Sequence, residues 1–274
     1  MLIQGKALQH WIDHFYGYGS WHARFWFVGY EESGGDVPEE VAEKLNYFYN
    51  VPASNTPTLC DIRELYRHVA FRVDGPRAEK FANLNDHRFG SHATLHGAWK
   101  NLVAFVHGYQ NEKLPDLLAY QKNSFALPSA RSEALIQLYP LPGHNHAWYY
   151  AWLDLPEFPF LKSRAIYQDY VYPNRMHNIL QTSECGGHGG LALKECDFLV
   201  LFGHPVFEDL VLHGLNGRLH SGFEEDSTSP ARGIVSTTVS LGRRSVKEGT
   251  RELDRGDLDA VQSRGVRLCM TVLA

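Results

Sequence analysis

The sequence predicts an α/β protein in which a three-layer α/β/α sandwich is built around a central, mainly parallel sheet. Three runs of apolar residues, at 25–28, 134–139 and 196–203, have the composition of strands that are buried on both faces. Each run ends at or is followed by a glycine or a proline, and helical patterns lie between the runs. Strands that alternate with helices along a chain favour a parallel sheet covered by helices.

Length and composition favour one folded domain. The chain has 274 residues, of which 44% are hydrophobic and 21% are charged. These fractions exclude a disordered, collagen-like or coiled-coil chain, and the length is sufficient to bury a large core. We therefore expect a single domain over residues 1–274, with insertions near 50–98 and 214–232.

The sequence has no segment typical of a membrane span or a secretory signal. No apolar run approaches the roughly 18 residues that a membrane helix needs, and residues 1–15 mix charged and aromatic side chains. The four cysteines are too scattered to indicate a disulfide framework: Cys60, Cys185, Cys196 and Cys269. We expect a cytoplasmic protein with no membrane partner and no obligate protein partner.

The first part of the chain places one aromatic strand between helical patterns. Apolar residues at helical spacing begin at Leu8 and continue to Phe15, which predicts an amphipathic helix. The predicted elements here are helices over 6–20, 39–49 and 58–67, a strand at 25–28 and a loop over 83–96.

The remainder continues the alternation of helix and strand. β-branched residues cluster in the last two strand patterns, which are expected to complete the sheet. The predicted elements here are helices over 99–109, 114–121, 161–182 and 204–213, strands at 134–139, 196–203, 233–241 and 266–273, and a flexible turn at 186–190.

Unusual residues follow three of the predicted strands. The first strand leads into the glycine-rich segment 29–35, the second carries Gln137 near its end and continues into 140–144, and the third ends at 203–205, Gly-His-Pro. Ligands bind outside the carboxyl ends of strands in open parallel sheets. The three segments therefore predict one shared site.

Two adjacent carboxylates, Glu31 and Glu32, lie in the first of these segments. A carboxyl group beside a buried strand is partly desolvated, which raises its pKa and is typical of acid–base catalysis. The alternative is that both residues cap the following helix, because the N-terminus of a helix favours negative charge.

Three segments together resemble the uracil-DNA glycosylase superfamily, in a divergent bacterial branch: WFVGYEESGG, SEALIQLYPLP and FLVLFG. The resemblance covers roughly residues 20–215. It implies a parallel-sheet α/β fold with the site at the carboxyl ends of the strands. It also implies an enzyme that flips a base out of DNA and hydrolyses its N-glycosidic bond.

The resemblance assigns roles to individual residues. Gly29 matches the glycine of the first family motif, and Glu31 lies where the family has the aspartate or asparagine that positions water or supports the sugar cation. Glu32 replaces the usual proline, so either acid is a candidate for the catalytic group. Tyr30 is placed to flank the base pocket, and Gln137 matches a base-reading asparagine. The alternative interpretation of Gln137 is structural, with its amide hydrogen-bonded within the protein at the end of the strand.

Three histidines are candidates for the group that stabilises the departing base. His204 follows the third strand, where relatives rarely carry His-Pro, and it is our candidate for a base-binding residue. The histidine-proline-serine motif that closes the family pattern is missing, which leaves His144 and His220 as other candidates. Each of these histidines, taken alone, also has a purely structural interpretation.

Local features favour contact with DNA despite a formal net charge of −5. The rigid proline-rich segment supplies Pro142, Gly143 and His144 as candidates that press into a groove. Arg243 and Arg244 follow a glycine and suit phosphate binding. The alternative interpretation is that these two arginines lie in a hairpin exposed to solvent.

We expect no metal and no cofactor. The histidines at 144, 146 and 188 lack the spacing that lets neighbouring ligands share a metal ion. Some relatives hold an iron–sulfur cluster with four cysteines, but no two cysteines of this chain are closely spaced. The glycines of 29–35 do not form a dinucleotide-binding or phosphate-binding motif.

The leading hypothesis is therefore a DNA glycosylase that removes a modified pyrimidine from single- or double-stranded DNA. The segment 32–35 leaves more room than a tight uracil pocket, which is compatible with antiviral defence against modified phage DNA. Two alternatives are a noncatalytic module that binds a nucleotide or DNA on the same fold, and a hydrolase of free nucleosides.

Overall fold

The computed structural model describes residues 3–51, 56–76, 78–143, 148–180, 198–202 and 233–236 of the chain. Within them, one sheet contains β1 (Phe15–Tyr18), β2 (Phe25–Glu31), β3 (Thr58–Cys60), β4 (Glu133–Tyr139), β5 (Phe198–Phe202) and β6 (Gly233–Ser236). The α-helices of these ranges are α1 (Gly5–His14), α2 (Pro38–Tyr49), α3 (Ile62–His68), α4 (Ala78–Ala82), α5 (Leu84–Phe89), α6 (Gly97–Tyr109), α7 (Leu117–Asn123) and α8 (Arg164–Leu180). Two short 3-10 helices lie at Tyr149–Trp152 and Pro159–Lys162.

The sheet is mostly parallel, as the sequence predicts. Its strand order is β3-β1-β4-β2-β5-β6. Strands β4, β2, β5 and β6 are parallel to one another, whereas β1 pairs antiparallel with β4 and parallel with β3. The fold is therefore α/β, with two strands at one edge running against the other four.

Strand β2 lies in the middle of the parallel part. Its side chains from Phe25 to Val28 are buried, which explains why this segment is apolar without alternation. Phe25 and Phe27 pack against Phe105 of α6, and Trp26, which points to the opposite face, contacts Trp21.

Helix α2 follows the glycine-rich segment after β2. It begins at Pro38, whose missing N–H costs nothing in the first turn, and Glu39 and Glu40 complement the positive end of the helix. Val41 and Leu45 lie one turn apart on its buried face.

The predicted helix over 6–20 is wrong beyond His14. Residues Phe15–Tyr18 form a strand that lies between β3 and β4, and all four residues are buried. Gly17 has a φ of 130°, and a Cβ at this position would collide with the carbonyl oxygen of Leu135. The glycine permits this close approach of two backbones, and tertiary pairing overrides the helical spacing of the apolar residues.

Two further predictions are corrected in the segment that precedes α6. The predicted helix over 58–67 is a strand at Thr58–Cys60 followed by α3, which starts where the side chain of Asp61 accepts a hydrogen bond from the Arg63 N–H. The predicted loop over 83–96 contains α5, whose N-cap is Asn83. Side-chain capping therefore starts both of these short helices.

The other predicted elements that the structure describes agree with it to within a few residues, although the predicted strand at 233–241 is described only over 233–236. Helix α4 and the two 3-10 helices correspond to no predicted element. The predicted turn at 186–190, the helix over 204–213, the strand at 266–273 and the insertion near 214–232 lie outside the described residues. The single-domain organisation stays a prediction, although β3 shows that the segment 50–98 contributes a strand to the sheet.

Candidate functional site

The carboxyl ends of β2 and β4 bring two of the predicted segments together. Gly29 pairs with Gln137 and Glu31 with Tyr139, and the Glu32 N–H donates to the carbonyl oxygen of Tyr139 at 3.0 Å. Parallel strands in this register deliver their following loops to the same edge of the sheet. Segments 32–35 and 140–143 therefore run side by side.

Glu31 lies in a largely buried position between these segments. Its side chain is 11% exposed, and its Oε1 has no hydrogen-bond partner among the described residues. Its Oε2 lies 3.8 Å from the guanidinium of Arg164, the first residue of α8. Burial raises the pKa of Glu31 to about 7, against the opposing effect of Arg164.

The carboxylate occupies space that a side chain at position 143 would need. A Cβ on Gly143 would collide with Oε1 of Glu31. Glycine at this position is therefore required for the carboxylate to take up its observed place.

Four tyrosines lie close enough to this carboxylate to interact with it electrostatically, and their rings pack against other aromatic side chains. Tyr30 and Tyr139 are in edge contact with ring centroids 5.0 Å apart, and Trp148 lies 5.1 Å from Tyr167 and 4.7 Å from Tyr150. Burial raises the pKa of all four tyrosines, so their hydroxyl groups stay neutral near pH 7. Glu31 is thus in a weakly polar environment, and Arg164 is the counter-charge that it meets in the part of the chain that the structure describes.

Two of these tyrosines fix the proline-rich segment. The hydroxyl of Tyr150 donates to the carbonyl oxygen of Pro142 at 2.8 Å, and the hydroxyl of Tyr167 accepts from the Leu141 N–H at 2.9 Å. Pro142 in turn packs closely against Gly35. The space between them is so small that a Cβ added to Gly35 would lie only 2.8 Å from Cβ of Pro142. The segment after β4 is therefore held against the segment after β2.

Glu32 has a different environment from Glu31. It is fully buried, accepts a hydrogen bond from the Tyr18 hydroxyl at 2.6 Å, and has its Oε1 3.5 Å from Nζ of Lys44. Burial raises its pKa, while Lys44 and the hydrogen bond from Tyr18 oppose that rise. Each carboxylate has one buried oxygen without a hydrogen-bond partner among the described residues, Oε1 of Glu31 and Oε2 of Glu32. They differ in that Oε1 of Glu32 is held by Tyr18 and Lys44, whereas the ion-pair contact of Glu31 is the longer one, to Arg164.

No family model, no curated protein and no solved structure matches this chain. The chemistry of the site therefore has to be inferred from its own residues and their surroundings.

Gln137 lies deeper along β4 than the carboxylate. Its side chain is buried, and its Oε1 has no hydrogen-bond partner within the described ranges. Its backbone pairs with Gly29, two positions before Glu31 in β2. An unpartnered amide oxygen at this depth can accept a hydrogen bond from a ligand or a water molecule.

Apart from Gln137, the predicted site residues separate into three groups. Tyr30, Glu31, Pro142 and Gly143 meet at the carboxyl ends of β2 and β4. Glu32 lies behind them in the ion network. His144, His204, Arg243 and Arg244 lie outside the described residues, so their predicted roles stay predictions.

The sequence analysis missed Arg164 and the tyrosines of the following segments. Arg164 is the first residue of α8, and a cation there is disfavoured by the helix dipole. A residue that breaks such a local rule often has a functional partner, so this position carried a usable signal. Tyr150 and Tyr167 had none, because buried tyrosines occur in ordinary cores.

Neither a metal nor a membrane is indicated by the part of the chain that the structure describes. No cluster of three or more His, Cys, Asp or Glu residues there has the arrangement of a metal site. No helix in those ranges combines the length and the apolar character that crossing a bilayer demands. Cys60 is a free cysteine, and burial raises the pKa of its thiol to about 12.

Proposed function

We propose that the protein is a DNA glycosylase on a three-layer fold like that of the uracil-DNA glycosylase superfamily. The observation that carries the proposal is the buried carboxylate of Glu31, with one unpartnered oxygen, at the carboxyl end of a central parallel strand. It occupies the position at which the resemblance expects the residue that positions water or supports the sugar. The proposal includes DNA as the partner and the cytoplasm as the location.

The reaction needs a negative group beneath the sugar. The bond between C1′ of the deoxyribose and the base nitrogen breaks, the base leaves with the electron pair, and positive charge develops on the sugar. A water oxygen then bonds to C1′ and releases a proton, and the departing base takes up a proton. An ionised Glu31 stabilises the sugar cation and accepts the proton from water.

The surroundings of Glu31 suit this role. Because its pKa is about 7, the carboxylate is a stronger base than an ordinary glutamate while still being substantially ionised near neutral pH. The weakly polar aromatic surroundings strengthen its electrostatic interaction with a developing cation. Glu32, which is committed to Tyr18 and Lys44, supports the segment in this proposal and Glu31 meets the substrate.

Base recognition is assigned to Gln137 and Tyr30. The amide of Gln137 can donate and accept hydrogen bonds, which suits the hydrogen-bonding edge of a flipped base. Tyr30 supplies an aromatic ring that flanks the base in this proposal. The segment 32–35 departs from the first family motif, because Glu32 stands where the family usually has a proline. We therefore place a modified pyrimidine, of the kind found in phage DNA, ahead of uracil as the substrate.

The test is base release from defined oligonucleotides. Single- and double-stranded DNA carrying uracil, hydroxymethylated or glucosylated pyrimidines is incubated with the protein, and abasic sites are scored. We expect Glu31→Gln to lower the rate by about 100-fold or more, the usual contribution of a positioned acid–base group. The rate of the wild-type protein should rise with pH through about 7, because the ionised carboxylate is the active form.

Three outcomes would contradict the proposal. Absence of base release from every oligonucleotide, combined with saturable nucleotide binding, would favour a noncatalytic binding module. Turnover of free nucleosides without turnover of oligonucleotides would favour a nucleoside hydrolase. Full activity in both Glu31→Gln and Glu32→Gln would exclude the carboxylate mechanism.

A further inference from the structure

Helix α2 places a buried pair of opposite charges directly behind the glycine-rich segment. Nζ of Lys44 lies 3.2 Å from Oε1 of Glu40, one turn earlier on the same helix. Both side chains are almost completely buried. In the reaction proposed above, Lys44 enters only as a partner of Glu32, and Glu40 has no part.

This pair binds the backbone of the segment after β2. Nζ of Lys44 donates to the carbonyl oxygen of Ser33 at 2.9 Å, and the Gly35 N–H donates to Oε2 of Glu40 at 3.1 Å. Gly34 and Gly35 have φ values of 90° and 74°, a region that glycine adopts without strain. A Cβ on Gly34 would collide with Oε1 of Glu40, so the turn lies directly on the ion pair.

From this turn, a continuous series of contacts leads to the candidate catalytic carboxylate. Gly35 packs against Pro142, whose carbonyl group and Cβ would both lie within 3 Å of a Cβ on Gly35. The next residue, Gly143, is in direct contact with the carboxylate of Glu31. The series therefore runs from Glu40 through Gly35, Pro142 and Gly143 to Glu31.

We propose that Glu40 and Lys44 are positioning residues that hold the Gly34–Gly35 turn against Pro142 and thereby keep Glu31 shielded from water beneath Gly143. Their catalytic meaning rests on the function proposed above, whereas the geometry they impose on Glu31 does not.

The energetics of burial agree with a positioning role. Taking a lysine and two glutamates out of water costs several kcal/mol per ion, and well-packed apolar side chains are often at least as stable in such places. Charged side chains can make directed hydrogen bonds to the backbone, which apolar side chains cannot. Lys44 binds the carbonyl oxygen of Ser33 in this way, and Glu40 binds the N–H of Gly35. Lys44 keeps its charge, because attraction to the carboxylates of Glu40 and Glu32 and the hydrogen bond to Glu40 oppose the effect of burial and raise its pKa.

The test follows the ionisation of Glu31 itself and does not need activity. Carboxyl resonances of ¹³C-glutamate-labelled protein are titrated by NMR, and Glu31→Gln assigns the resonance of Glu31. Within the described ranges, the titratable and charged groups that act on Glu31 are Arg164, Tyr30, Tyr139, Tyr150 and Tyr167, and all of them stay unchanged in the variants.

The decisive variant is Glu40→Gln, which keeps the shape of the side chain and removes its charge. We expect the turn to loosen and water to reach Glu31, so that the midpoint of its titration falls by about one pH unit or more. Glu43→Gln, the same change on the same helix but outside these contacts, should leave that midpoint in place. A folded Glu40→Gln protein with an unchanged midpoint, or an equal fall in Glu43→Gln, would overturn the proposal.

A second variant covers the case in which Glu40→Gln does not fold. Pro142→Gly leaves the ion pair intact and removes the Cβ that contacts Gly35. We expect a fall of the Glu31 midpoint in the same direction, and an unchanged midpoint would refute the positioning role.

Activity measurements separate this inference from the proposed function. A lowered midpoint in protein that releases no base from any oligonucleotide would leave the positioning role standing and remove the glycosylase assignment. If Glu40→Gln releases bases at the full rate and its pH profile keeps an unaltered acidic limb, the glycosylase assignment stands and the positioning role is refuted.

Discussion

At position 143, the absence of a side chain determines where a neighbouring carboxylate can lie. Gly143 has no Cβ, and Glu31 Oε1 occupies the volume in which one would be found. No positive φ is recorded there, so the requirement for glycine comes from space and not from backbone conformation. The position is thus sensitive to the addition of a single methyl group.

We expect Gly143→Ala to displace the Glu31 carboxylate and to lower the rate of base release by about tenfold or more, in line with the cost of misplacing a catalytic group. Overpacking at such a buried contact should also lower the free energy of unfolding by about 1–3 kcal/mol. Both effects are measurable, by single-turnover kinetics and by urea denaturation.

The matched control for this prediction is Gly97→Ala. Gly97 starts α6, and a Cβ there would meet no atom within 4 Å. We expect unchanged kinetics and a stability within about 1 kcal/mol of the wild type. Equal effects at both positions would show that the contact with Glu31 is not what matters at 143.

At the scale of secondary structure, α8 is connected to the sheet by Arg175. Its buried guanidinium donates to the carbonyl oxygens of Phe15, Gln137 and Leu138, and it stacks 3.5 Å from the ring centroid of Tyr16. The three carbonyl groups belong to β1 and β4, which are antiparallel neighbours. One side chain therefore joins a helix to two strands.

Replacing Arg175 by methionine should destabilise the protein by about 3 kcal/mol or more, because it leaves buried carbonyl groups without a donor. The same substitution at Arg67, whose side chain is 57% exposed, should change stability by at most about 0.5 kcal/mol. Urea denaturation of both variants measures the difference. Similar midpoints for the two variants would contradict the assigned role of Arg175.

The elements also show what the sequence could and could not reveal. Strand β2 and helix α2 were predictable, since an aromatic run without alternation and a Pro-Glu-Glu start are local signals. Strand β1 was not, because Phe15 continues the apolar spacing of α1 and only pairing with distant strands selects the extended form. The boundary between α1 and β1 therefore depends on residues that are distant in the sequence.

The same distinction applies to the site. Glu31 could be proposed because it lies at the carboxyl end of a recognisable strand, of which it is the last residue. The partnership of Arg164 with Glu31 could not, since 133 positions separate them and the contact depends on how α8 docks. The opposite environments of Glu31 and Glu32 were equally hidden, because they depend on Lys44 and Tyr18.

At the scale of the whole molecule, the raised pKa of Glu31 links folding to pH. A carboxyl group whose pKa is higher in the folded than in the unfolded state stabilises the fold when protonated. Its contribution is complete below pH 4.5 and is lost as pH rises through about 7. The difference between 4.5 and about 7 corresponds to about 3 kcal/mol.

Glu31→Gln should therefore match the wild type in stability near pH 4 and exceed it increasingly up to pH 8, by as much as about 3 kcal/mol. The glutamine keeps the shape of the side chain and carries no charge to desolvate. Chemical denaturation of both proteins across this pH range measures the effect. Parallel stability curves would show that Glu31 ionises in the folded protein as an ordinary carboxyl group does.

The position of β2 has a consequence for the synthesis of the protein. Both neighbours of this strand, β4 and β5, come later in the chain, so its edges stay unpaired until residues 133–139 and 198–202 have been translated. Unpaired edges on an aromatic segment favour intermolecular association, and long-range pairing is slow. Nascent chains and truncated fragments that lack these residues are accordingly prone to aggregate through the strand that carries Glu31.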